Sequence, residues 1–402
     1  MGLFDLFRRE TKDSKTGAVL VMNSGQAVWT KRDYAHFADE AYIKNVVVYQ
    51  SISRVADAVA SVNWEVWRGD DQFEEHPLLT LLKRPNPAQS WSEFVRAKIG
   101  FHLIAGNSYD ERLTAGGETK ELYTLRPDRM KVIPSNNGMA QAYVYSTGNK
   151  SVRWDVDAQG NCDIRHMKAF NPLDDWYGLS PVEPGAYAID QHTESMKWMQ
   201  ALLQNSAQPS GALSMKEGQL SDDQFNRLKA QIDEQHQGAK NAGRPMLLEG
   251  GLSWEQMGLS PQAMQIVDGK NSSARDVCLA FGVPPQLLGI PGDNTYSNYK
   301  EARLAFWEDT VVPLVTYLGE EWSNWLGDGE VELRPNLDLV PAIIDKRMDL
   351  WAMADKSADL TINERRALKG YEPLPDGDVR EAVARNPQND PSLLKALAYG
   401  EG

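Results

Sequence analysis

The chain has 402 residues, 42% hydrophobic and 24% charged, which excludes a disordered or collagen-like chain and leaves room for two or three domains. Its 42 Lys and Arg against 56 Asp and Glu give a net charge of -14, the wrong sign for a protein that grips DNA through its phosphates over a whole surface. No run approaches the roughly 20 apolar residues of a membrane span, and two cysteines, Cys162 and Cys278, are too few for a disulfide framework or a four-ligand zinc site.

Residues 1–30 read as an N-terminal arm. Leu3, Phe4, Leu6 and Phe7 are interrupted by Asp5, which argues against a secretory signal, and Leu6 stands where myristoylation needs Ser or Thr. The arm either docks weakly on its own fold or contacts a neighbouring subunit. Ala41, Val46, Val47, Ile52, Val55, Ala56 and Val59 recur at helical spacing, so 36–62 is expected to be one long helix. A strand that ends in a turn over 64–69 and a short helix at 76–82, stopped by Pro85 and Pro87, come next. Ser90 and Glu93 then form a capping box that opens a helix ending near Gly106. From 108 to 170 the pattern turns to period two, with a hairpin across Gly116-Gly117 and short strands near 130–133, 140–145 and 163–166. Helical spacing returns after Ser180-Pro181 and runs to about 206, carried by Ile189, Met196, Met199 and Leu203.

A compact insert is read at 207–259: a strand at 211–215, a capping box at Ser221–Gln224 opening a helix, and a hairpin across Gly250-Gly251. A second long helix follows Ser260-Pro261 and ends at Gly282 and Pro284-Pro285. Next is a loop rich in glycine and proline. Gly289, Ile290, Pro291, Gly292, Asp293, Asn294, Thr295 and Tyr296 form its core. Its glycines and Pro291 stop helix propagation, and Asn294 or Thr295 suits the cap of the next helix. Asp293, the loop's charged residue, either turns the chain or repels phosphate. A long helix from about Tyr296 to Leu326 carries a stripe of Leu304, Trp307, Val311, Leu314, Leu318, Trp322 and Trp325, with Pro313 expected to kink it. A strand at 330–335 and C-terminal helices, with a capping box at Thr361–Glu364, close the chain before a loose tail at 386–402.

Little in the chain points to catalysis. A phosphate-binding loop is missing: near Gly269-Lys270, Met264 and Asn271 occupy its glycine and Ser/Thr positions. The dinucleotide-binding glycine pattern and the Gly-x-Ser-x-Gly elbow are absent, and the six histidines show no close ligand spacing. Pairs such as Asp174-Asp175, Asp222-Asp223 and Glu320-Glu321 read as solvated faces or caps. No enzyme activity, cofactor or metal is therefore expected.

Six stretches nevertheless carry a resemblance: His76–Leu79 with Arg84–Pro87, Leu103–Tyr109, Leu125–Ile133, Gly178–Val182, Phe281–Gly289 leading into Tyr296–Asn298, and Leu360–Leu368 with Tyr371–Asp378. In order and spacing over about residues 35–380 the chain resembles the portal proteins of long-tailed bacteriophages and gene-transfer particles. Its departures are small, Tyr371 standing where a small apolar residue is common and Asp376 where glycine is. The resemblance implies an α+β portal fold and a ring, commonly a dodecamer, at one capsid vertex of the virion, assembled in the bacterial host cytoplasm. Double-stranded DNA would enter through it, driven by the terminase large subunit, and leave into the tail. The implied parts are a wing at 31–179, stem helices at 180–206 and 260–282 and a clip at 207–259. A tunnel loop at 283–296, a kinked tunnel helix and wing strand at 297–340, and a helical crown with the C-terminal tail at 341–402 complete the set. The clip would meet terminase and then the head–tail adaptor, and the major capsid protein would surround the ring. Another connector or adaptor ring of a phage-like particle is the alternative, though such rings are usually shorter and lack the stem–clip–stem order. A nucleic-acid enzyme is disfavoured by the missing nucleotide and metal motifs. An acidic channel agrees with the charge balance, since a basic lining would trap the duplex rather than let it slide.

Overall fold

The computed structural model describes residues 34–135, 138–204, 211–215, 252–256, 266–291, 296–327, 329–357 and 359–379, with single positions at 223, 226 and 227. The arm at 1–30, the tail at 386–402 and most of the 207–259 insert lie outside the described residues. Within the insert, the expected strands β9 (Gly211–Met215) and β10 (Leu252–Gln256) are present and pair antiparallel with each other, whereas residues 245–249, expected to pair with the second of them across Gly250-Gly251, lie outside the described residues.

The segment expected as one helix over 36–62 is divided. A π-helical stretch at Phe37–Ile43 ends at Lys44, and helix α1 (Val46–Ala60) starts afresh behind Asn45. The cause is Asn45 itself. It adopts extended backbone, and its Oδ1 accepts from the amides of Val47 and Val48 at 3.0 and 3.3 Å. A side chain that caps so well competes with helix continuation. Helix α2 (Pro77–Lys83) follows strands β1 (Asn63–Arg68) and β2 (Asp71–Phe73), and helix α3 (Trp91–Ala105) opens with both hydrogen bonds of the expected Ser90–Glu93 capping box.

Strands β3 (Asn107–Ala115) and β4 (Glu118–Leu125) form the expected hairpin, and β8 (Ile164–Lys168) pairs on the other edge of β3. A second antiparallel sheet joins β5 (Met130–Pro134), β6 (Ala140–Thr147) and β7 (Lys150–Asp155). Helices α4 (Val182–Gln204) and α5 (Ile266–Ala280) flank the insert. Next, α6 (Tyr296–Ala305) runs through a π-helical turn at Phe306–Val311 into α7 (Val312–Leu326). Val311 and Val312 keep right-handed helical backbone, so Pro313 lies inside a continuous helix, and the bond its missing N–H removes falls at the π-helical turn directly before it. The departure from α-helical geometry lies in the wide turn just before it. Strand β11 (Glu332–Asn336) pairs with β1, and α8 (Pro341–Lys356) and α9 (Ile362–Leu368) complete the described chain.

The main core is aromatic. Trp322 of α7, fully buried, packs its ring 5.7 Å from that of Trp64, 5.6 Å from Trp91 and 6.2 Å from Phe94. Gly319, one turn earlier, lets α7 lie directly on β11: a Cβ there would stand 2.7 Å from the Leu333 carbonyl. A smaller core of Tyr109, Met130, Cys162 and Ile164 joins the two outer sheets.

Candidate functional site

The helix pair that brackets the insert is antiparallel and tightly closed. The start of α4 meets the end of α5, where a Cβ at Gly185 would stand 3.1 Å from that of Ala280. Ser180 prepares the start of α4: its hydroxyl donates to the Leu103 carbonyl at 3.1 Å and accepts from the Val182 amide at 3.0 Å. Further along α4, the side-chain amide of Asn45 reaches the Ile189 carbonyl, the His192 ring and Thr193 at 3.4, 3.2 and 3.1 Å. The residue that breaks the first helix thus also moors α4 to the body of the protein.

After α5 the chain enters the expected glycine- and proline-rich loop. Gly282, with φ of 63°, ends α5, and its carbonyl accepts from Thr310 Oγ1 at 2.6 Å. A single 3₁₀ turn at Pro285–Leu288 follows and is closed by Gly289 at φ of 70°. Arg54, on α1, donates through Nη2 to the Leu287 carbonyl at 2.7 Å. The Ile290 amide returns to the Pro285 carbonyl at 3.2 Å, and Ile290 is buried in the main core. Pro291 is exposed, and its carbonyl accepts from Arg275 of α5. Of the eight residues expected at the loop's core, Gly289, Ile290 and Pro291 are placed in full and Tyr296 opens α6. Gly292, Asp293, Asn294 and Thr295 lie outside the described residues. Nothing local in the sequence marks Arg54, Arg275 or Thr310 as anchors, because each acts across a distance in the chain.

No group of three His, Cys, Asp or Glu able to hold a metal occurs among the described residues, and no described helix is long and apolar enough to cross a membrane. A strongly polar interior lies between α3 and β3. Lys98 of α3, fully buried, donates to Asp110 Oδ2 at 2.5 Å and to Ser108 Oγ at 3.3 Å, and Trp322 Nε1 donates to the same carboxylate oxygen at 3.2 Å. One turn on, His102 is buried with Nδ1 lacking a hydrogen-bond partner. Burial, then the charge of Lys98, pushes its pKa down to about 4.

His102 therefore folds neutral while the unfolded chain takes up a proton near the ordinary value of 6.5. Its neutral form contributes stability that is fully present above pH 6.5 and is lost as pH falls toward 4. The expected difference is up to about 3 kcal/mol. Denaturant midpoints for the protein and for His102→Leu at pH 7 and pH 4.5 check this. The acid-induced loss should be smaller in the variant, and equal losses would contradict it.

Between β8 and α4 the chain forms a loop, 169–178, that is tied together by its own side chains and carries two outward apolar ones. Asn171 Nδ2 donates to the Tyr177 carbonyl at 3.0 Å, and its Oδ1 accepts from the Leu173 amide at 3.0 Å. Asp174 Oδ1 accepts from the amides of Trp176 and Tyr177 at 2.7 and 3.1 Å. Asn107 Oδ1 accepts from the Gly178 amide at 2.7 Å, and Tyr177 Oη accepts from the Val132 amide at 3.0 Å. The base closes on Gly106 and Gly178. A Cβ at Gly106 would fall 2.5 Å from the Leu179 carbonyl carbon, and its φ of 71° already favours glycine.

A family model described as phage portal protein matches residues 46–370. The neck of an empty gene transfer agent particle, solved with C6 symmetry, contains a chain 42% identical, with a TM-score of 0.69 over 87% of this chain and 96% of that one. The neck of a native particle, solved with C12 symmetry, matches at 41% identity and a TM-score of 0.66 over 88% and 97%. The portal protein of Enterobacteria phage HK97 is 25% identical over 357 residues, 85% of this chain and 82% of its own length.

Proposed function

Because the chain belongs to the phage portal protein family, we propose that it closes into a ring of twelve at one vertex of a phage-like capsid or gene-transfer particle. Double-stranded DNA passes along the ring's axis, inward on packaging and outward into the tail. The observation that carries this reading is likeness to gene-transfer-particle neck chains over nearly their full length, one of them in a twelve-fold assembly. A family member of this kind is structural rather than catalytic, and the pump is a separate protein.

Within the ring, the paired helices α4 and α5 form the stem. The insert at 207–259 is the clip, which meets the terminase large subunit during packaging and the head–tail adaptor afterwards. Residues 31–179 with β11 form the wing, facing the major capsid protein, and 341–402 the crown. The loop at 283–296 points to the axis as the tunnel loop. Two features support that assignment: its base is pinned by Arg54, Arg275 and Thr310, and positions 289–291 bring no cation that would hold phosphate. The chain's net charge of -14 favours sliding over gripping. Assembly takes place in the host cytoplasm, before DNA enters the particle.

Electron microscopy of the purified protein tests the reading as a whole. A channelled ring of twelve copies is expected, with 289–296 nearest the axis. A monomer, or a ring lined by other residues, would refute respectively the assembly and the loop's role.

A further inference from the structure

We propose that the 169–178 loop is the knob by which each copy of this chain plugs into its neighbour in the ring, with Phe170 and Leu173 as its anchors. This rests on the ring reading given above.

Phe170 is 85% and Leu173 95% exposed in the single chain, more than any other large apolar side chain described. Scattered exposed apolar residues are ordinary. These two differ because the loop beneath them is built. Asn171, Asp174 and Asn107 spend their side chains on its backbone, and Tyr177 is tied to β5. A slack loop would fold Phe170 and Leu173 back onto the protein. This one holds them away from it, at the expense of leaving apolar surface in water. An apolar pair fixed in place before binding loses little entropy when it docks, which is how interface anchors behave.

The occupant follows from symmetry. A cyclic ring is closed by contacts in which one face of each copy meets a different face of the next, so an apolar projection fixed in place on one copy has a partner surface available on its neighbour. A chain 41% identical sits in a neck of twelve-fold symmetry, covered over 97% of its length. The loop lies directly between β8 and α4, so it leaves the β-rich part of the chain where the helix pair begins. A contact placed there ties adjacent copies at the level where both parts of each subunit are held.

The test compares the protein with the double variant Phe170→Ser, Leu173→Ser by sedimentation over a concentration series. The variant should keep the far-ultraviolet circular dichroism of the parent, while the concentration at which half the chains are in rings rises at least about thirtyfold. As a second measurement, Phe170→Cys is labelled with an environment-sensitive dye; Cys162 and Cys278 are buried, so the label goes to the loop. Its emission should shift to the blue on assembly of this chain alone. A double variant that forms rings as readily as the parent overturns the proposal. So does a dye that shifts only when capsid or adaptor protein is added, since the knob would then serve a different partner. If the double variant is misfolded, the dye decides. Failure of the unaltered protein to form any ring would instead overturn the ring reading on which the proposal stands.

Discussion

Replacing Lys98 by methionine is expected to destabilise the fold by about 3–5 kcal/mol, a large share of the stability of a typical domain. Methionine fills nearly the same volume, so the effect isolates charge. Lys98 and Asp110 are buried together, and Asp110 Oδ1 has no hydrogen-bond partner. Without the ammonium, the carboxylate keeps the Trp322 N–H at 3.2 Å as its side-chain donor. One such donor does not offset the desolvation of a carboxylate in an apolar interior. The double variant Lys98→Met, Asp110→Leu should recover most of the loss, because removing both charges removes the unpaired one. Denaturant unfolding of the two variants checks this. A double variant as unstable as the single would mean that the pair is needed for shape rather than for charge balance.

Trp322→Ala should be comparably damaging, by about 3–5 kcal/mol. The indole is fully buried and is the ring on which Trp64 of β1 and Trp91 and Phe94 of α3 converge. Alanine leaves a cavity between helices and sheet that the surrounding rigid rings cannot close. Trp322→Phe retains most of the packing and loses the N–H to Asp110, so its effect should be smaller, about 1–3 kcal/mol. An alanine variant that loses no more than the phenylalanine variant would show that the hydrogen bond, which both lack, and not the packing is what Trp322 supplies.

Much of the fold was legible where local chemistry and tertiary structure agree. Ser90 with Glu93, and Thr361 with Glu364, cap helices as their spacing requires. Gly116-Gly117 turns the β3–β4 hairpin at positive φ. Strand β7 escaped notice because it is exposed along almost its whole length and so lacks an apolar alternation. The π-helical turns at 37–43 and 306–311 carry no sequence signature: their residues have ordinary helical spacing, and the extra residue per turn is accommodated by packing. Asn45 is a known cap former, yet the apolar stripe running through it outweighed that signal. Lys98 on an α3 face otherwise lined by Phe94, Val95 and Ile99 could be recognised as buried only once Asp110 was seen opposite it. Of the candidate site, the break after α5 and the glycine closing its 3₁₀ turn were readable. The three residues that fasten it were not: Arg54 and Thr310 come from other elements, and Arg275 reaches back from α5 across sixteen positions.

That fastening has a mechanical consequence. The segment from Gly282 to Pro291 is attached to its surroundings at three carbonyls, by Thr310, Arg54 and Arg275. Of these, Arg54 and Thr310 belong to other parts of the subunit. A force applied beyond Pro291 therefore does not travel only along the chain into α5 and α6. Part of the load passes sideways, through the Leu287 carbonyl into α1 and through the Gly282 carbonyl into the π-helical turn before α7. Springs in parallel add their stiffness, so the foot of this loop yields less than a peptide tethered at its two ends alone. The recoil is therefore shared between α5, which holds the Pro291 carbonyl through Arg275, and the core elements that hold the other two carbonyls.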